Sequence, residues 1–429
     1  MWDLRPGVSE SRDHHGRRGR GLKMPKTIVC DGNEAAAWGV CLAKPDMVSV
    51  YPITPQSSLA EHLTEFIAEG KLSADLMDVE GEHSVLSVLQ GACLAGARTF
   101  TATCGQGLAF MFEPYFRTPN LRLPIVMAIV TRDGITPQTV WGGQQDAMTV
   151  KEVGWIQMYV ETNQEILDTI IMAYRIAEHP EVMLPVNVCF DGTYLSYGIE
   201  AVSVPDQEVI DEFLGEKNVN WHVALDPERP MAVDPLTGGG SGKGTSMFVR
   251  YRKGHCKAMQ KALEVIEEVH TEYGKKVGRS YGPLIEAYRM EDADYAIMTI
   301  GSMTGAAREA VDIARGEGKK VGLLKVKTFR PFPIEAINRS LAKVRALGVV
   351  DRSVNFGWGT GPLYQEVLAA THFLEKRIPA ISFIGGLSGS DLTVDNHFRR
   401  VVEITERATQ GEVPRQTIWL NEDDDKGVA

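Results

Sequence analysis

The sequence lacks several features that would assign a chain to a particular class of protein. No apolar run reaches the roughly 18–20 residues that a transmembrane helix needs. Residues 1–23 are polar and basic and lack the apolar core of a secretory signal, so we expect a cytoplasmic protein without a membrane span. The formal net charge of −11 argues against general nucleic-acid binding, which requires a basic face.

Closely spaced cysteines are missing as well. The chain has six cysteines but no C-x-x-C pair, whereas zinc and iron–sulfur sites usually use ligands that are close in sequence. We therefore expect no metal cluster held by this chain, and free, buried thiols in a reducing compartment. The cysteines are Cys30, Cys41, Cys93, Cys104, Cys189 and Cys256.

A complete P-loop is also absent, although residues 238–244 read G-G-G-S-G-K-G. A P-loop has the pattern G-x-x-x-x-G-K-[ST] between a strand and a helix. Here Thr237 stands in place of the first glycine, and Gly244 in place of the residue that would bind magnesium. We interpret this glycine-rich stretch as a flexible linker and not as an ATP site.

The sequence does contain an alternation of apolar runs and amphipathic stretches, which predicts an α/β protein with mostly parallel sheets covered on both faces. One such unit is predicted over residues 24–204 and a second over residues 255–415. Residues 205–254 have little periodicity and predict a linker or crossing segment. Residues 1–23 are interpreted as a disordered basic tail, with a functional arm as the alternative, and residues 416–429 as an acidic tail.

Two local patterns refine this division. A helix is predicted from Asn163 onwards, with Asn163 as a plausible N-cap. In the second unit, Gly301 and Ser302 lie between a predicted strand and a predicted helix, where their amides could bind an anion. Close packing of the helix on the strand would explain the glycine equally well.

Polar residues follow the predicted strands of the first unit. Thr54, Glu82, Gln106 and Arg132 each come directly after a strand-like segment. The carboxyl ends of parallel strands share one edge of a sheet, where ligands bind. We therefore expect these four residues to lie near one another.

The two charged residues of this group also have structural explanations. Glu82 begins a predicted helix, where a carboxylate is stabilised by the helix dipole. Arg132 ends an apolar strand, where a guanidinium is costly unless it has a partner. That partner could be a salt-bridged carboxylate, Asp133 or Asp146, or a bound anion, and residue spacing alone leaves both open.

A series of motifs resembles, in the same order, the alpha subunit of 2-oxoacid:ferredoxin oxidoreductases, the pyruvate synthase group. The similarity extends over about residues 24–400. The motifs are Y-P-I-T-P from 51, E-G-E-H-S from 80, T-A-T-C-G-Q-G-L from 101, L-P-I-V-M-A from 123, W-G-G-Q-Q-D from 141, G-W-I-Q from 154, L-P-V-N-V-C-F-D-G from 184 and T-I-G-S-M from 299.

The resemblance implies a fold and a set of roles. The fold is a parallel-sheet domain that binds the pyrimidine ring of thiamine diphosphate, followed by a transketolase C-terminal-like α/β domain. Enzymes of this family cleave a 2-oxoacid oxidatively to an acyl-CoA, CO₂ and two electrons. By this resemblance Glu82 is catalytic and hydrogen-bonds the pyrimidine ring, and Pro52 and Thr54 also contact the cofactor. Thr54 and Arg132 bind the substrate, and Arg132 pairs with the carboxylate of the substrate.

The resemblance also implies partners. The G-D-G…N-N signature with which thiamine enzymes bind diphosphate does not occur here. A beta subunit must then bind the diphosphate and magnesium, and this chain alone should be inactive. Gamma and ferredoxin-like delta subunits would complete the complex and carry iron–sulfur clusters, with coenzyme A as co-substrate. Relatives that pass electrons to NAD add a flavoprotein subunit with FAD.

The sequence departs from the pyruvate-type pattern near Arg132. Asp133 and Gly134 replace an apolar pair, and Gly143 and Gln144 replace Asp-His. A glycine removes side-chain volume, which predicts room for a bulkier 2-oxoacid. The changes resemble the phenylglyoxylate dehydrogenase (acylating) branch, which makes benzoyl-CoA in anaerobic aromatic degradation. A pyruvate:ferredoxin oxidoreductase and a non-catalytic scaffold subunit are the alternatives.

Overall fold

The computed structural model describes residues 26–134, 139–215, 244–372 and 374–422. Its strands are β1 Lys26–Cys30, β2 Met47–Val48, β3 Asp75–Leu76, β4 Thr99–Thr103, β5 Val126–Thr131, β6 Ile156–Tyr159, β7 Val186–Asp191, β8 Glu200–Val204, β9 Ile285–Tyr288, β10 Tyr295–Ile300, β11 Val321–Val326, β12 Thr328–Arg330, β13 Leu347–Asp351, β14 Ala380–Ile384 and β15 Ile418–Trp419. Its helices are α1 Gly32–Ala43, α2 Ser57–Ala68, α3 Glu82–Leu94, α4 Gly105–Phe110, α5 Phe112–Asn120, α6 Gln145–Thr149, α7 Asn163–Ala177, α8 Gln207–Leu214, α9 Gly244–Val277, α10 Thr304–Gly316, α11 Ile334–Leu341, α12 Pro362–Thr371 and α13 Arg399–Ala408.

The first sheet has seven strands in the order β12-β6-β7-β5-β4-β2-β3. All of its pairings are parallel except that of β12, which comes from the second half of the chain and runs antiparallel to β6. Every residue of β4 and β5 is buried, as expected for strands covered on both faces. The predicted α/β class is therefore confirmed.

The second sheet has six strands in the order β15-β14-β13-β10-β11-β9. Only β9 is antiparallel to its neighbour within this sheet. The predicted strand–helix–strand unit is present as β10, α10 and β11. The two strands pair in parallel, with Tyr295 opposite Val321. A separate antiparallel pair, β1 and β8, closes the first unit.

Two apolar clusters form the core, one on each side of the first sheet. One joins α1 and α7 with α9. The other joins α3 and α5 with both sheets, so the two units share a continuous core. The contact between α1 and α7 is close at Gly39, where a Cβ would lie only 2.8 Å from the carbonyl oxygen of Leu167.

The segment between the units is more ordered than predicted. Residues 205–254 were expected to form a linker, but they contain α8 and the first turns of α9. Helix α9 begins eleven residues before the predicted start of the second unit, and its Ala262 and Val265 are buried against the first unit. Residues 216–243, with most of the glycine-rich stretch, lie outside the described residues.

The chain ends also differ from the expectation. Residues 416–429 were predicted as an acidic tail, but β15 lies within them and pairs with β14. Residues 1–25 and 423–429, including the predicted basic tail, lie outside the described residues. Among the described helices, none is both long enough and apolar enough to cross a bilayer. Five cysteines are buried and Cys256 is exposed, and all six are free.

The N-cap of α7 was predicted one residue too late. Thr162 is the cap, and its hydroxyl accepts a hydrogen bond from the backbone N–H of Glu165 at 3.2 Å. The Asn163 side chain instead donates to the carbonyl oxygens of Cys30 and Gly198, at 3.2 and 2.6 Å. Asn163 therefore links elements of the first unit.

Buried ion pairs fix α7 to the second half of the chain. Asp168 of α7 binds the Arg279 guanidinium at 2.7 Å and accepts hydrogen bonds from the Tyr273 and Tyr281 hydroxyls. Glu165 lies 2.9 Å from both Lys325 and Lys327. Burial alone would raise the pKa of Glu165, but the two lysines lower it to about 2.

Candidate functional site

The carboxyl-terminal edge of the first sheet brings Thr54, Glu82 and Arg132 together. The Arg132 Nη1 donates to the Thr54 carbonyl oxygen at 2.5 Å. The Cys104 thiol donates to the same oxygen at 3.2 Å. Glu82 approaches from the start of α3, where its Oε1 lies 2.6 Å from the position of a Cβ on Gly107. Gln106 lies in α4 between Gly105, which contacts Arg132, and Gly107, which contacts Glu82, and its buried Oε1 has no hydrogen-bond partner among the described residues. The four residues of the predicted cluster are therefore grouped around the start of α4.

Glu82 is a buried carboxylate without a partner among the described residues. Its side chain is 7% exposed and makes no hydrogen bond or ion pair within the described ranges. Gly107 leaves room for it, because any larger residue there would collide with the carboxylate. A buried charge without a partner is costly, so this arrangement suits a carboxylate that receives a hydrogen bond from a ligand.

Arg132 is buried with an unused donor. Its residue is 4% exposed, and its Nε has no hydrogen-bond acceptor among the described residues. No carboxylate of the described part of the chain lies within ion-pair distance of the guanidinium, so neither Asp133 nor Asp146 is the salt-bridge partner that the sequence left open. Gly105 has φ +46° and lies against the guanidinium, where a Cβ would be 2.2 Å from Nε.

Asp146 was considered only as a partner for the Arg132 side chain, and its actual role was missed. It accepts hydrogen bonds from the backbone N–H groups of Gly105 at 2.8 Å, Arg132 at 3.1 Å and Ala147 at 2.7 Å. Burial raises its pKa to about 7. Asp146 therefore fixes the two backbone segments that carry the guanidinium and its glycine contact. Its position at the end of the W-G-G-Q-Q-D motif was the available signal.

Thr54 and Pro52 lie at the surface of the same turn. Both are exposed, and the peptide bond between Thr54 and Pro55 is cis. The Thr54 hydroxyl has no partner among the described residues, whereas the Asn33 amide donates to the Pro55 carbonyl at 2.8 Å. The turn is thus fixed through its backbone, and the hydroxyl is available to a ligand.

Of the two glycines that depart from the pyruvate-type pattern, Gly143 offers no free volume, whereas a Cβ on Gly134 would meet no described atom within 4 Å. Room for a bulkier 2-oxoacid therefore stays a prediction. A Cβ on Gly143 would lie 2.2 Å from Oδ1 of Asp133, so the carboxylate of Asp133 occupies that space. The two departures from the pyruvate-type pattern therefore compensate each other and leave no cavity at this position. Gln144 is buried beside them and donates to Asp191 at 3.0 Å.

The anion that the Gly301–Ser302 turn binds is the side-chain carboxylate of Asp191. The Ser302 backbone N–H donates to Asp191 Oδ2 at 2.7 Å, and Arg352 pairs with the same oxygen at 3.2 Å. Asp191 ends β7 of the first sheet, whereas Ser302 and Arg352 follow β10 and β13 of the second. The predicted anion-binding turn is therefore a contact between the two units.

Comparison with known proteins identifies the family. The family profile described as pyruvate flavodoxin/ferredoxin oxidoreductase, thiamine diP-bdg, matches residues 38–271, and pyruvate:ferredoxin oxidoreductase core domain II matches residues 293–397. The chain is 66% identical to the NADH-dependent phenylglyoxylate dehydrogenase subunit alpha of Aromatoleum evansii, over 94% of this chain and 96% of that protein. It is 41% identical to pyruvate synthase subunit PorA of Pyrococcus furiosus, over 92% of this chain and 98% of that protein.

A solved structure agrees with the fold. The 2-oxoglutarate:ferredoxin oxidoreductase of Magnetococcus marinus superposes with a TM-score of 0.66 at 20% identity, over 90% of this chain and 65% of that one. At this identity the likeness concerns the fold alone. The two matching profiles and the identities to full-length relatives place the chain, on its sequence, in the alpha-subunit family of the 2-oxoacid:ferredoxin oxidoreductases.

Proposed function

We propose that this chain is the alpha subunit of a complex that oxidises phenylglyoxylate to benzoyl-CoA and CO₂. Electrons leave through iron–sulfur clusters of other subunits, with NAD as the final acceptor and ferredoxin as the alternative. The observation that carries the proposal is the 66% identity to a phenylglyoxylate dehydrogenase alpha subunit, against 41% to a pyruvate synthase subunit.

The residues at the edge of the first sheet fit the pyrimidine end of thiamine diphosphate. Glu82 offers a buried carboxylate that accepts no other hydrogen bond from the described residues, and Thr54 offers an unused hydroxyl beside Pro52. When bound, thiamine diphosphate supplies the nucleophilic carbon that a 2-oxoacid cleavage requires. Glu82 would hold the pyrimidine ring by accepting a hydrogen bond from a ring nitrogen, and the Thr54 hydroxyl and Pro52 would supply further contacts to the cofactor.

Arg132 would bind the carboxylate of the 2-oxoacid. The guanidinium is held by the Thr54 carbonyl and the Gly105 backbone, yet its Nε is still free to donate. A planar fork of N–H donors matches a carboxylate. Because the group is 4% exposed, little water competes for it, and the charge–charge attraction is stronger than at a surface.

The substrate is tested by steady-state assays of the purified complex with phenylglyoxylate, pyruvate and 2-oxoglutarate, each with CoA and with NAD or ferredoxin as acceptor. We expect the highest kcat/KM with phenylglyoxylate and NAD. A higher kcat/KM with pyruvate would overturn the substrate and support the pyruvate alternative. A complex that turns over none of these acids would favour a scaffold subunit.

The requirement for partners is tested with the isolated chain. Given thiamine diphosphate, Mg²⁺, CoA and phenylglyoxylate, it should show no turnover, because it lacks the G-D-G…N-N signature for the diphosphate end. Addition of the separately purified remaining subunits should restore activity. Turnover by the isolated chain would contradict the proposed division of the cofactor site between subunits.

A further inference from the structure

A loop of the second unit, residues 386–391, lies across residues 139–143 of the first unit. The Gly389 N–H donates to the Gly142 carbonyl oxygen at 2.7 Å. The Tyr194 hydroxyl donates to the Gly389 carbonyl oxygen at 2.7 Å. We call these two stretches the 386–391 loop and the 139–143 segment. Their contact combines this backbone hydrogen bond with a side-chain hydrogen bond from the Ser388 hydroxyl to the Thr139 hydroxyl at 2.6 Å, so it fixes the relative position of the loop and the segment.

The 139–143 segment is in turn joined to the strand end that carries Arg132. Gly142 and Arg132 form an antiparallel bridge. The backbone of Arg132 is therefore held from one side by this bridge and from the other by the Asp146 carboxylate. Whatever holds the 139–143 segment in place also holds the backbone of Arg132.

Asp133, which follows Arg132 in the chain, contacts both the 386–391 loop and the 139–143 segment. Its Oδ2 accepts a hydrogen bond from the backbone N–H of Ser388, in the 386–391 loop. Its carboxylate lies over the Cα of Gly143, where a Cβ would be 2.2 Å from Oδ1 and 2.3 Å from Cγ. Burial raises the pKa of Asp133 to about 6, and the hydrogen bond from the Ser388 N–H opposes this rise.

We propose that Asp133 is a positioning residue for 2-oxoacid binding, because its carboxylate fastens the 386–391 loop to the 139–143 segment beside Arg132. The Arg132 side chain contacts Thr54 and that of Asp133 contacts Ser388, so Asp133 acts through the backbone and does not touch the substrate. This role rests on the proposed function, in which Arg132 binds the substrate carboxylate.

The geometry also implies that substitutions at positions 133 and 143 disturb the same contact. A side chain at 143 would displace the Asp133 carboxylate, because the three atoms nearest to a Cβ there are Oδ1, Cγ and Oδ2 of Asp133, at 2.2, 2.3 and 2.6 Å. Substitutions at the two positions should therefore not be additive, as expected for residues in direct contact.

The test is a double-mutant cycle in the purified complex, with KM and kcat for phenylglyoxylate as the readout. Asp133→Ala should raise KM about tenfold, with kcat changed by less than about twofold, because a hydrogen bond to a charged acceptor is lost. Asp133→Asn should stay within about threefold of the wild-type KM, because its Oδ1 can accept the same N–H. Gly143→Ala should resemble Asp133→Ala, and should add less than about twofold in the Asp133→Ala background.

Hydrogen exchange of the peptide that contains Ser388 gives a second readout that does not depend on turnover. It should be faster in the Asp133→Ala and Gly143→Ala complexes than in the wild type. Glu309→Gln is the matched control, because Glu309 is an exposed carboxylate of α10 without an ion pair among the described residues. It should leave KM, kcat and the exchange unchanged.

Three results would overturn the role of Asp133: additive effects of the two substitutions on KM, a fall in kcat with KM unchanged, or unaltered exchange at Ser388. These results are distinct from failure of the proposed function. A wild-type complex that oxidises no 2-oxoacid contradicts the proposed function, whereas turnover by the wild type with additive effects contradicts only the role of Asp133.

Discussion

Glu82 and Arg132 are buried ionisable residues without an ion-pair partner among the described residues. Such a pair of groups costs folding free energy that an apolar side chain would not cost. Both groups have fixed backbones, Glu82 at the first residue of α3 and Arg132 between Gly142 and Asp146. The cost is understandable if a ligand supplies a donor to one and a carboxylate to the other.

Glu82→Gln should abolish most turnover of the assembled complex, by about 10²–10⁴-fold, because the amide cannot act as a proton-accepting carboxylate. The change is nearly isosteric, so the complex should assemble with wild-type stoichiometry on gel filtration. Glu80→Gln is the matched control, because Glu80 is exposed and bonds only the Ser84 hydroxyl within the described residues. Full activity of Glu82→Gln would remove Glu82 from the site.

Arg132→Lys should raise the KM for the 2-oxoacid by about tenfold or more, because the lysine keeps the charge but loses the planar fork. The expected effect on kcat is smaller, because lysine keeps a positive charge beside the carboxylate, which leaves as CO₂. Initial rates at saturating and limiting substrate separate the two effects. Arg117→Lys, at an exposed position of α5, should change neither, and an unchanged KM in Arg132→Lys would contradict carboxylate binding by Arg132.

The clustering of these residues was predictable, but the contacts that support them were not. Parallel strands bring their carboxyl ends to one edge, so Thr54, Glu82 and Arg132 could be expected to meet. Asp146 binds backbone N–H groups 41 and 14 residues away, and such partners carry no side-chain signal in a sequence. The filling of Gly143 by Asp133 depends on two side-chain positions that spacing does not fix.

At the scale of elements, buried carboxylates hold helix ends and helix pairs. Asp351, at the end of β13, accepts from the backbone N–H groups of Leu363 at 2.8 Å and Tyr364 at 3.1 Å, at the start of α12. Gly361 makes this contact possible, because a Cβ there would lie 1.9 Å from the Asp351 Cγ. The start of α12 is thus capped by a residue eleven positions before the helix.

Asp351 should make stability depend on pH. Burial raises its pKa from 3.8 to about 7, so its folded form favours the protonated carboxyl. The stability that this group contributes is present below the unfolded pKa and is lost as pH rises towards the folded pKa. Asp351→Asn stays neutral, so its melting temperature relative to wild type should rise between about pH 4 and 7 and level off above. A difference that does not change with pH would contradict this assignment.

Asp168→Ala should weaken the attachment of α9 to α7. It removes the carboxylate that pairs with Arg279 and leaves a guanidinium that is only 19% exposed without its partner. Loss of one member of a buried pair costs about 3–5 kcal/mol, which corresponds to a melting temperature lower by about 5–10 °C. Asp211→Ala is the control, because its pair with Lys44 is about half exposed and should contribute little. Equal shifts in both variants would contradict a special role for Asp168.

The elements themselves were largely predictable from periodicity, since long apolar runs gave β5, β10 and β11 and amphipathic stretches gave α2 and α7. The failures occurred where tertiary contacts decide the structure. Helix α8 has eight residues and is stabilised by packing of Ile210 and Phe213 in the core, not by its own sequence. Strand β15 has two residues, and it exists because β14 offers it a free edge.

At the scale of the whole molecule, the two units contact each other more extensively than two domains joined only by a linker would. They share a core cluster, the Asp191–Ser302 contact and the first sheet itself, in which the second unit supplies the edge strand β12. In the second sheet, the crevice between β10 and β13, where α/β folds usually bind ligands, is filled by the Asp191 carboxylate of the first unit. The second unit therefore acts as a support for the site on the first.

Strand β12 has a consequence for the order in which the protein can be made. Its residues follow about three quarters of the 429-residue chain, so the first sheet has an open edge at β6 until they have left the ribosome. An open edge of this kind is available for pairing with other chains. The first sheet therefore cannot be complete until β12 has been synthesised, and the edge of β6 is exposed to aggregation during that interval.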